Sequence, residues 1–262
     1  MENLDSNLIE LNRTIYLVAL IEACRKGPLS KVEKLLEQGV PINWQDKDGH
    51  TPLLAAAYEG ASVILSFLID KGANVQVTDH EGRTALMMAV KADSLRKVEI
   101  LLSEGAQVNV KDKKGMTALM YAASFGRKEM VEMLLRNMAE VNTSDNEGLT
   151  PLMYATKSVY MAEKFTEILE TFAPILGKQD KEPPKEDASV ENVELLLKRR
   201  AKIDSQDNEG RTALMYAVMN NSVAKAALLV KMGADPKLKD RSGKVAAKYI
   251  IPQYKKVFRP YL

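Results

Sequence analysis

The sequence has few of the residues that build a catalytic or metal centre. Its 262 residues include only 1 Cys, 1 Trp and 2 His. The lone Cys24 excludes an internal disulfide and is typical of a reducing compartment. His50 and His80 lack paired cysteines or carboxylates at metal spacing, and no nucleophile or nucleotide-binding motif occurs. We therefore expect no enzymatic activity, no cofactor and no metal.

The sequence also lacks a strong charge bias and a long apolar run. Lys and Arg number 37 against 35 Asp and Glu, a net charge of +2 that favours neither nucleic acid nor an anionic membrane. No stretch approaches the roughly 18 apolar residues that cross a bilayer. The opening MENLDSN has no basic region of a signal peptide, which predicts a cytoplasmic protein. The apolar run before Cys24 leaves a periplasmic lipoprotein as an alternative, and a secreted effector is another.

A repeated unit occupies most of the chain instead. The block Thr-(Ala/Pro)-Leu-Met, with Leu54 for Met in the first copy, follows an Asp-x-x-Gly turn each time. The turn glycines lie 33 residues apart, except for one step of 62, at Gly49, Gly82, Gly115, Gly148, Gly210 and Gly243. A fixed period indicates one small unit copied head to tail, each copy packing mainly on its neighbours.

Each unit has the pattern of two helices. After the turn at Asp112, Thr117 occupies the N-cap position of a first helix, whose apolar face is Leu119, Ala122 and Ala123. A second apolar stripe runs from Met130 to Leu135. Glycines that follow this stripe in other units are typical left-handed helix C-caps. Met138 and Arg200 replace two of them, which predicts non-glycine residues in the left-handed region.

These residues resemble the ankyrin repeat, in the segments DHEGRTALMMAV, DKKGMTALMYAA, DNEGLTPLMYAT and DNEGRTALMYAV. The resemblance covers residues 15–251 and implies an all-α solenoid of about seven units, acting as a non-enzymatic protein-interaction module. Methionine stands where the family has a histidine that ties its loop by hydrogen bonds, so we expect packing to hold these loops. The methionine-rich TALMYA variant is similar to bacterial ankyrin proteins and predicts a bacterial source.

The repeat predicts a single domain over residues 1–262. Its parts are an N-terminal cap (1–45), three regular repeats (46–78, 79–111 and 112–144), an interrupted repeat (145–206), a sixth repeat (207–239) and a C-terminal cap (240–262). The interruption, near 159–188, combines a helical stripe from Met161 to Phe172 with a polar loop over 177–188. Its apolar stripe either packs on the chain's own helices or contacts a partner.

The family resemblance places a concave groove on the first helices and the turn tips. The predicted groove residues are Tyr58, Met88, Lys91, Tyr121, Phe125, Tyr154, Lys157, Tyr216 and Met219. The predicted tip residues are Lys47, His80, Lys113, Asn146, Asn208 and Arg241. Exposed aromatic residues dominate protein interfaces, which favours a protein partner, although a tyrosine every 33 residues is equally typical of packing between repeats.

Two alternatives remain for the function: a stoichiometric, antitoxin-like inhibitor of one enzyme, and a secreted bacterial effector. The tips lack the continuous basic stripe of a nucleic-acid groove, so we expect a monomer that binds another protein and neither nucleic acid nor membrane. The basic C-terminal end, which includes Lys244 and Lys248, is either a solvated cap or a contact for phosphate or an acidic partner.

Overall fold

The computed structural model describes residues 15–125, 127–157, 188–252 and 259. Residues 15–26 are helical and are called α1. The helices that follow are α2 Leu29–Glu37, α3 Pro52–Tyr58, α4 Ser62–Asp70, α5 Ala85–Lys91, α6 Leu95–Ser103, α7 Ala118–Phe125, α8 Lys128–Arg136, α9 Pro151–Lys157, α10 Ala188–Lys198, α11 Ala213–Met219 and α12 Val223–Lys231. A 3₁₀ helix at Ala246–Tyr249 comes last, and the described residues form no named strand.

Threonine side chains start the first helix of the repeats. The Thr51 hydroxyl oxygen accepts the Leu54 amide at 3.2 Å, and Thr84 accepts the Met87 amide at the same distance. Thr212 repeats the contact in the sixth repeat. Each bond satisfies an amide that a helix N-terminus otherwise leaves without a partner. The threonine N-caps predicted from the sequence are confirmed.

The chain divides into two compact units, residues 1–118 and 119–262. The first unit buries leucines of α3 to α6, including Leu53, Leu68 and Leu101. The second unit buries the corresponding leucines of α8 to α12, including Leu134 and Leu229. Alanines on the first helices, all buried, keep those helices thin enough to pack closely on their neighbours. The single domain predicted from the repeat stays a prediction.

One aspartate organises each turn. In every Asp-x-x-Gly turn, the Oδ1 atom accepts the amides two and four residues later, at 2.8–3.0 Å. The turn glycine has a positive φ, 80° at Gly49, which glycine adopts without penalty. A Cβ on Gly49 would also lie 2.6 Å from the His80 amide nitrogen, so both backbone angle and space require glycine there.

Backbone hydrogen bonds join the turn tips of consecutive repeats. In the first unit, the His80 amide donates to the Asp48 carbonyl at 3.1 Å, and the Lys113 amide donates to the Glu81 carbonyl at 2.8 Å. In the second unit, the Asn208 and Arg241 amides donate to the carbonyls of Glu147 and Glu209, both at 2.9 Å. These bonds fix each turn at one register against the turn before it.

Met138 and Arg200 both adopt φ of 65°, as their position at missing glycine C-caps predicted. The sequence analysis missed Asp93 and Asn221, which take φ of 54° and 55° at the ends of first helices. Most of the Met138 side chain is exposed, so the residue contributes little burial to offset the backbone cost.

Met138→Gly is expected to raise the free energy of unfolding by about 1 kcal/mol, because glycine takes this backbone conformation without the Cβ penalty. Urea denaturation followed by circular dichroism measures the change. Gly72→Ala is the matched control, since Gly72 has a φ of 89° and an added Cβ would meet only open space, and it should shift stability in the opposite direction. An unchanged or lower midpoint for Met138→Gly would contradict the argument.

Several predicted features lie outside the described residues. They are the helical stripe from Met161 to Phe172 and most of the loop in the interrupted repeat, residues 1–14 of the N-terminal cap, and residues 253–258 and 260–262 of the C-terminal cap. The predicted loop was wrong at its end, because α10 already begins at Ala188. Glu191 lies in the first turn of α10, where a negative charge stabilises a helix N-terminus.

Candidate functional site

The first-helix face is the set of predicted groove residues that follow the Leu-Met (or Leu-Leu) pair of each repeat. In the first unit it holds Tyr58, which is exposed, and Lys91, whose Nζ lies 5.9 Å from the Tyr58 ring centroid. A cation at this distance is attracted to the ring face. Met88 belongs to this set by sequence, but its side chain is buried. It supports the helix and offers no surface to a partner.

In the second unit, an aromatic pair lies on α7. Tyr121 and Phe125 stack with ring centroids 6.5 Å apart and an interplanar angle of 11°. Phe125 is 49% exposed, although most of the residues that precede it on α7 are buried. Stacking orders both rings, so their contact with a partner would cost little further conformational entropy.

Lys157, at the end of α9, lies between two tyrosines. Its Nζ is 5.9 Å from the Tyr154 ring centroid and 5.1 Å from that of Tyr216. The Lys157 side chain is exposed, so its ammonium lies beside both rings and also contacts solvent. Met219, at the end of α11, adds a side chain that is 39% exposed.

The tyrosine hydroxyls bond the turn aspartates of their own repeats. Tyr154 donates to Asp145 Oδ2 at 2.6 Å, and Tyr216 donates to Asp207 Oδ2 at 2.5 Å. Tyr249 makes the same bond to Asp240. Hydrogen bonds between the tyrosine and the turn aspartate therefore hold these loops in addition to packing. Tyr216 is only 5% exposed, so its role is structural, whereas Tyr154 is half-buried.

These bonds perturb the ionisation of the tyrosines and of two of the aspartates, Asp207 and Asp240. Burial and the bond to the aspartate raise the pKa of Tyr154 and of Tyr216. Burial is also the largest single influence on Asp207 and would raise its pKa, but the Tyr216 hydroxyl and Arg211 outweigh it and lower that pKa. The Tyr249 hydroxyl is the main cause that lowers the pKa of Asp240 to about 2. Asp207 and Asp240 thus stay charged, and the tyrosines stay neutral, near pH 7.

All six predicted tip residues have exposed side chains, and four of them also make the backbone bonds between repeats: His80, Lys113, Asn208 and Arg241. The Asn208 amide side chain donates to the Asn146 carbonyl at 2.9 Å. Lys47 and Asn146 are the other two tip residues, Lys47 in the first unit and Asn146 in the second. The tips are therefore positioned by the main chain, with side chains directed to solvent.

Sequence analysis missed one cluster at the first turn. Asp46, Asp48 and His50 each place a potential ligand atom within 4.8 Å of the others, the one such group found in the described part of the chain. The Asp46 carboxylate already accepts two backbone amides and lies 3.2 Å from His50 Nδ1. Those bonds, acting against burial, lower the pKa of Asp46. The cluster is accounted for by the turn, and the absence of a metal site stays a prediction.

Cys24 is fully buried, and burial raises the pKa of its thiol to about 12. A thiol so far from ionisation is a poor nucleophile. Its position is that of a core residue of α1.

A buried lysine was also missed. Lys97, on α6, donates from Nζ to the carbonyls of Ala56, Tyr58 and Gly60 at 3.3, 3.2 and 3.2 Å. The ammonium thus caps the C-terminal end of α3 in the preceding repeat, where carbonyls lack helical partners. Burial lowers the pKa of Lys97. A lysine next to Arg96 in the sequence gives no signal of such burial.

Asn192, on α10, occupies the corresponding position. Lys97 lies directly before the buried Val98 and four residues before the buried Leu101. In the same way, Asn192 lies directly before the buried Val193 and four residues before the buried Leu196. Asn192 is fully buried, and neither its amide nitrogen nor its amide oxygen has a hydrogen-bond partner within the described ranges. A buried, unpaired amide destabilises a fold.

Asn192→Leu is therefore expected to raise the free energy of unfolding by about 1–2 kcal/mol, because an apolar group of similar volume removes the desolvation cost. Thermal and urea denaturation of the full chain measure the effect. Asn142→Leu is the control, since the Asn142 side chain bonds Arg200 and Lys202 and its replacement should destabilise the chain. A loss of stability in Asn192→Leu would show that the amide has a partner.

A known protein family is similar to this chain in sequence. A family model described as ankyrin repeats (3 copies) matches residues 20–112, 95–173 and 186–240. The chain belongs to the ankyrin repeat family. Its fold is the all-α ankyrin solenoid, and the family consists in general of protein-interaction modules. None of the helices in the described ranges is both long and apolar enough to cross a membrane.

Individual relatives agree in fold. Over 58 residues, the ankyrin chain is 41% identical to the ankyrin repeat and LEM domain-containing protein 1 homolog of Caenorhabditis elegans, covering 22% of this chain and 8% of that protein. The human ASB11 ankyrin repeat domain matches with a TM-score of 0.75 at 23% identity, over 93% of this chain and 97% of that one. The ankyrin repeat domain of Bcl-3, a member of the IkappaB family, has a TM-score of 0.67 at 23% identity, covering 92% and 97%.

Proposed function

We propose that this chain is a non-enzymatic interaction module that binds a protein or peptide through its first-helix face and turn tips. The observation that carries the proposal is the exposure of large apolar side chains on helices that are otherwise buried. Phe125 and Met219 in the second unit and Tyr58 in the first each expose more than a third of their surface. Aromatic residues with this exposure are typical anchors of protein interfaces.

The charged neighbours support the same function. Lys91 and Lys157 place exposed or partly exposed ammonium groups beside the tyrosine rings. Apolar anchors ringed by charge resemble the core and rim of an interface between proteins. The proposed surface in the second unit consists of Tyr121, Phe125, Tyr154, Lys157 and Met219, without the buried Tyr216. We also propose that the unbound chain is a cytoplasmic monomer. A bacterial source remains a prediction.

Affinity purification with the full chain as bait, followed by mass spectrometry, tests the function. Phe125→Ala and Met219→Ala should each reduce capture of the specific partner by about 10-fold or more, the usual effect of truncating an interface anchor. Met232→Ala is the matched control, because Met232 lies in the same repeat and is 45% exposed, but follows α12 instead of lying on a first helix. Equal capture by all three variants would reject this surface.

A further inference from the structure

The last repeat carries lysines at two positions where several preceding repeats carry side chains that bond the next repeat. The position three residues before the turn aspartate is Asn43, Gln76, Asn142 and Asp204 in four repeats, and each side chain bonds backbone of the next repeat. The residue just before the aspartate does the same as Gln45 and Gln206. In the last repeat these two positions are Lys237 and Lys239, and both are exposed.

The backbone at this end is also open. In four of the preceding turns, the carbonyl two residues after the aspartate accepts an amide from the next repeat, as Glu209 accepts from Arg241. Ser242 holds that position in the last turn, and no amide of the described residues donates to its carbonyl. A Cβ on Gly243 would meet open space, whereas one on Gly210 would lie 2.9 Å from the Arg241 nitrogen. Among the described residues, the turn therefore ends in a backbone edge whose Ser242 carbonyl accepts no amide.

Charge sets this edge apart from the rest of the chain. Residues 237–262 hold eight basic side chains and one acidic side chain, although the whole chain has a net charge of only +2. The single acid, Asp240, is buried and accepts bonds from Ser242, Lys244 and Tyr249. Elsewhere, several surface cations pair with carboxylates, as Arg96 does with Glu99. Among described residues, the cations from Lys237 to Lys248 form no ion pair.

We propose that the terminal edge, formed by Lys237, Lys239, Arg241 and the Ser242 carbonyl, binds an extended acidic protein segment. The segment donates a backbone amide to the Ser242 carbonyl, as the next repeat would, and places carboxylates beside Lys237 and Lys239. This surface goes beyond the first-helix face, because it shares none of that face's residues. Pairing of an extended segment with an open backbone edge supplies register, and the charges supply selectivity.

Other polyanions fit the edge less well. A nucleic-acid strand that continued along the turn tips would meet the exposed carboxylates of Glu209 and Glu147 in the two preceding turns. Nucleotides carry their N–H donors on the bases, so the sugar–phosphate backbone that would face the lysines has no N–H to donate to the Ser242 carbonyl. The chain's own residues 253–262 contain three basic and no acidic side chains, so their charge does not complement the edge.

The test uses a fluorescein-labelled peptide of alternating Glu and Ala residues, titrated with the full chain at low and moderate salt. The variant is Lys237→Asn with Lys239→Gln, which restores the residue types of the preceding repeats. It should weaken binding by about 10-fold at low salt, with a smaller loss at higher salt. Lys31→Asn with Lys34→Gln makes the same charge change at exposed lysines of α2 and should leave the affinity within about twofold.

Three further outcomes decide the proposal. The same peptide with N-methylated amides cannot donate to the Ser242 carbonyl, and it should bind more weakly than the unmodified peptide. Equal binding of the two peptides, or equal losses in both pairs of variants, would overturn the proposal in favour of nonspecific charge attraction. Tighter binding of an oligothymidylate, or self-association abolished by the lysine variant, would assign the edge to nucleic acid or to a second copy and also overturn it. Each result is independent of the Phe125 and Met219 variants.

Discussion

Asp207→Ala is expected to lower the free energy of unfolding by about 3 kcal/mol, since it removes several hydrogen bonds to one buried carboxylate. Asp207 accepts the amides of Glu209 and Arg211, the Arg211 guanidinium and the Tyr216 hydroxyl. Without the carboxylate, the buried Tyr216 hydroxyl has no acceptor and the turn that positions Arg241 loses its organising group. Urea denaturation at pH 7 measures the change.

Glu209→Ala is the control, because this carboxylate lies in the same turn but is exposed, and its replacement should cost less than about 0.5 kcal/mol. A comparable loss in both variants would mean that the turn tolerates no change, whatever the bonds of the carboxylate. Tyr216→Phe separates the tyrosine bond from the rest and should account for about 1–2 kcal/mol.

The same bonds predict the acid dependence of stability. They lower the pKa of Asp207 in the folded chain below the value of about 4 of an unfolded aspartate. The stabilisation by the Asp207 carboxylate is therefore complete above a pH of about 4, the unfolded-state pKa, and is lost as the pH falls through the folded-state pKa. The difference in urea midpoint between the wild type and Asp207→Ala should narrow from pH 7 to pH 3. A constant difference would show that Asp207 contributes by packing alone.

Lys97→Ala is the second substitution with a large expected effect, a loss of about 3 kcal/mol from three carbonyls left without a donor and from the buried stem. Lys97→Met keeps the stem and removes only the ammonium, so it should cost about half as much. Thermal denaturation of the full chain measures both variants.

Arg96→Ala is the control for this pair. Arg96 is the neighbour of Lys97 on α6, but it is exposed and pairs with Glu99, so its loss should change stability by less than about 0.5 kcal/mol. If Lys97→Met is as stable as the wild type, the hydrogen bonds from the ammonium to the carbonyls at the end of α3 do not stabilise the fold.

Features that depend on local sequence could be predicted. The threonine caps, the helix pairs and the left-handed Met138 and Arg200 follow from residue types at fixed offsets within one repeat. Such features need no knowledge of how distant segments pack, because the interactions lie within a few residues.

Features that depend on neighbouring elements could not be predicted. The bond between Asp207 and Tyr216 spans nine residues and turns a residue of the predicted groove inwards. Lys97 has the sequence context of a surface lysine, and only the end of α3 in the preceding repeat makes it buried. The same limit applies to Asn192, which looks like an exposed polar residue at a helix start.

The candidate site stays a prediction, and only the exposure of its side chains can be compared with the helical spacing. Phe125 and Met219 are exposed as the helical spacing indicated, because both lie at the end of a short helix. Met88 and Tyr216 share the same spacing but lie one turn earlier, where the adjoining helices cover them. Periodicity gives the direction of a side chain, whereas exposure depends on how far the neighbouring repeat extends.

Site-specific photo-crosslinking tests the central claim most directly. Benzoylphenylalanine at position 125 retains an aromatic side chain on the first-helix face, and at position 63 it replaces Val63, which is exposed on the second helix α4. Irradiation in cells should give a discrete covalent adduct with one protein partner from position 125 and none from position 63. Adducts of equal yield from both positions, or from position 63 alone, would contradict binding through the first-helix face.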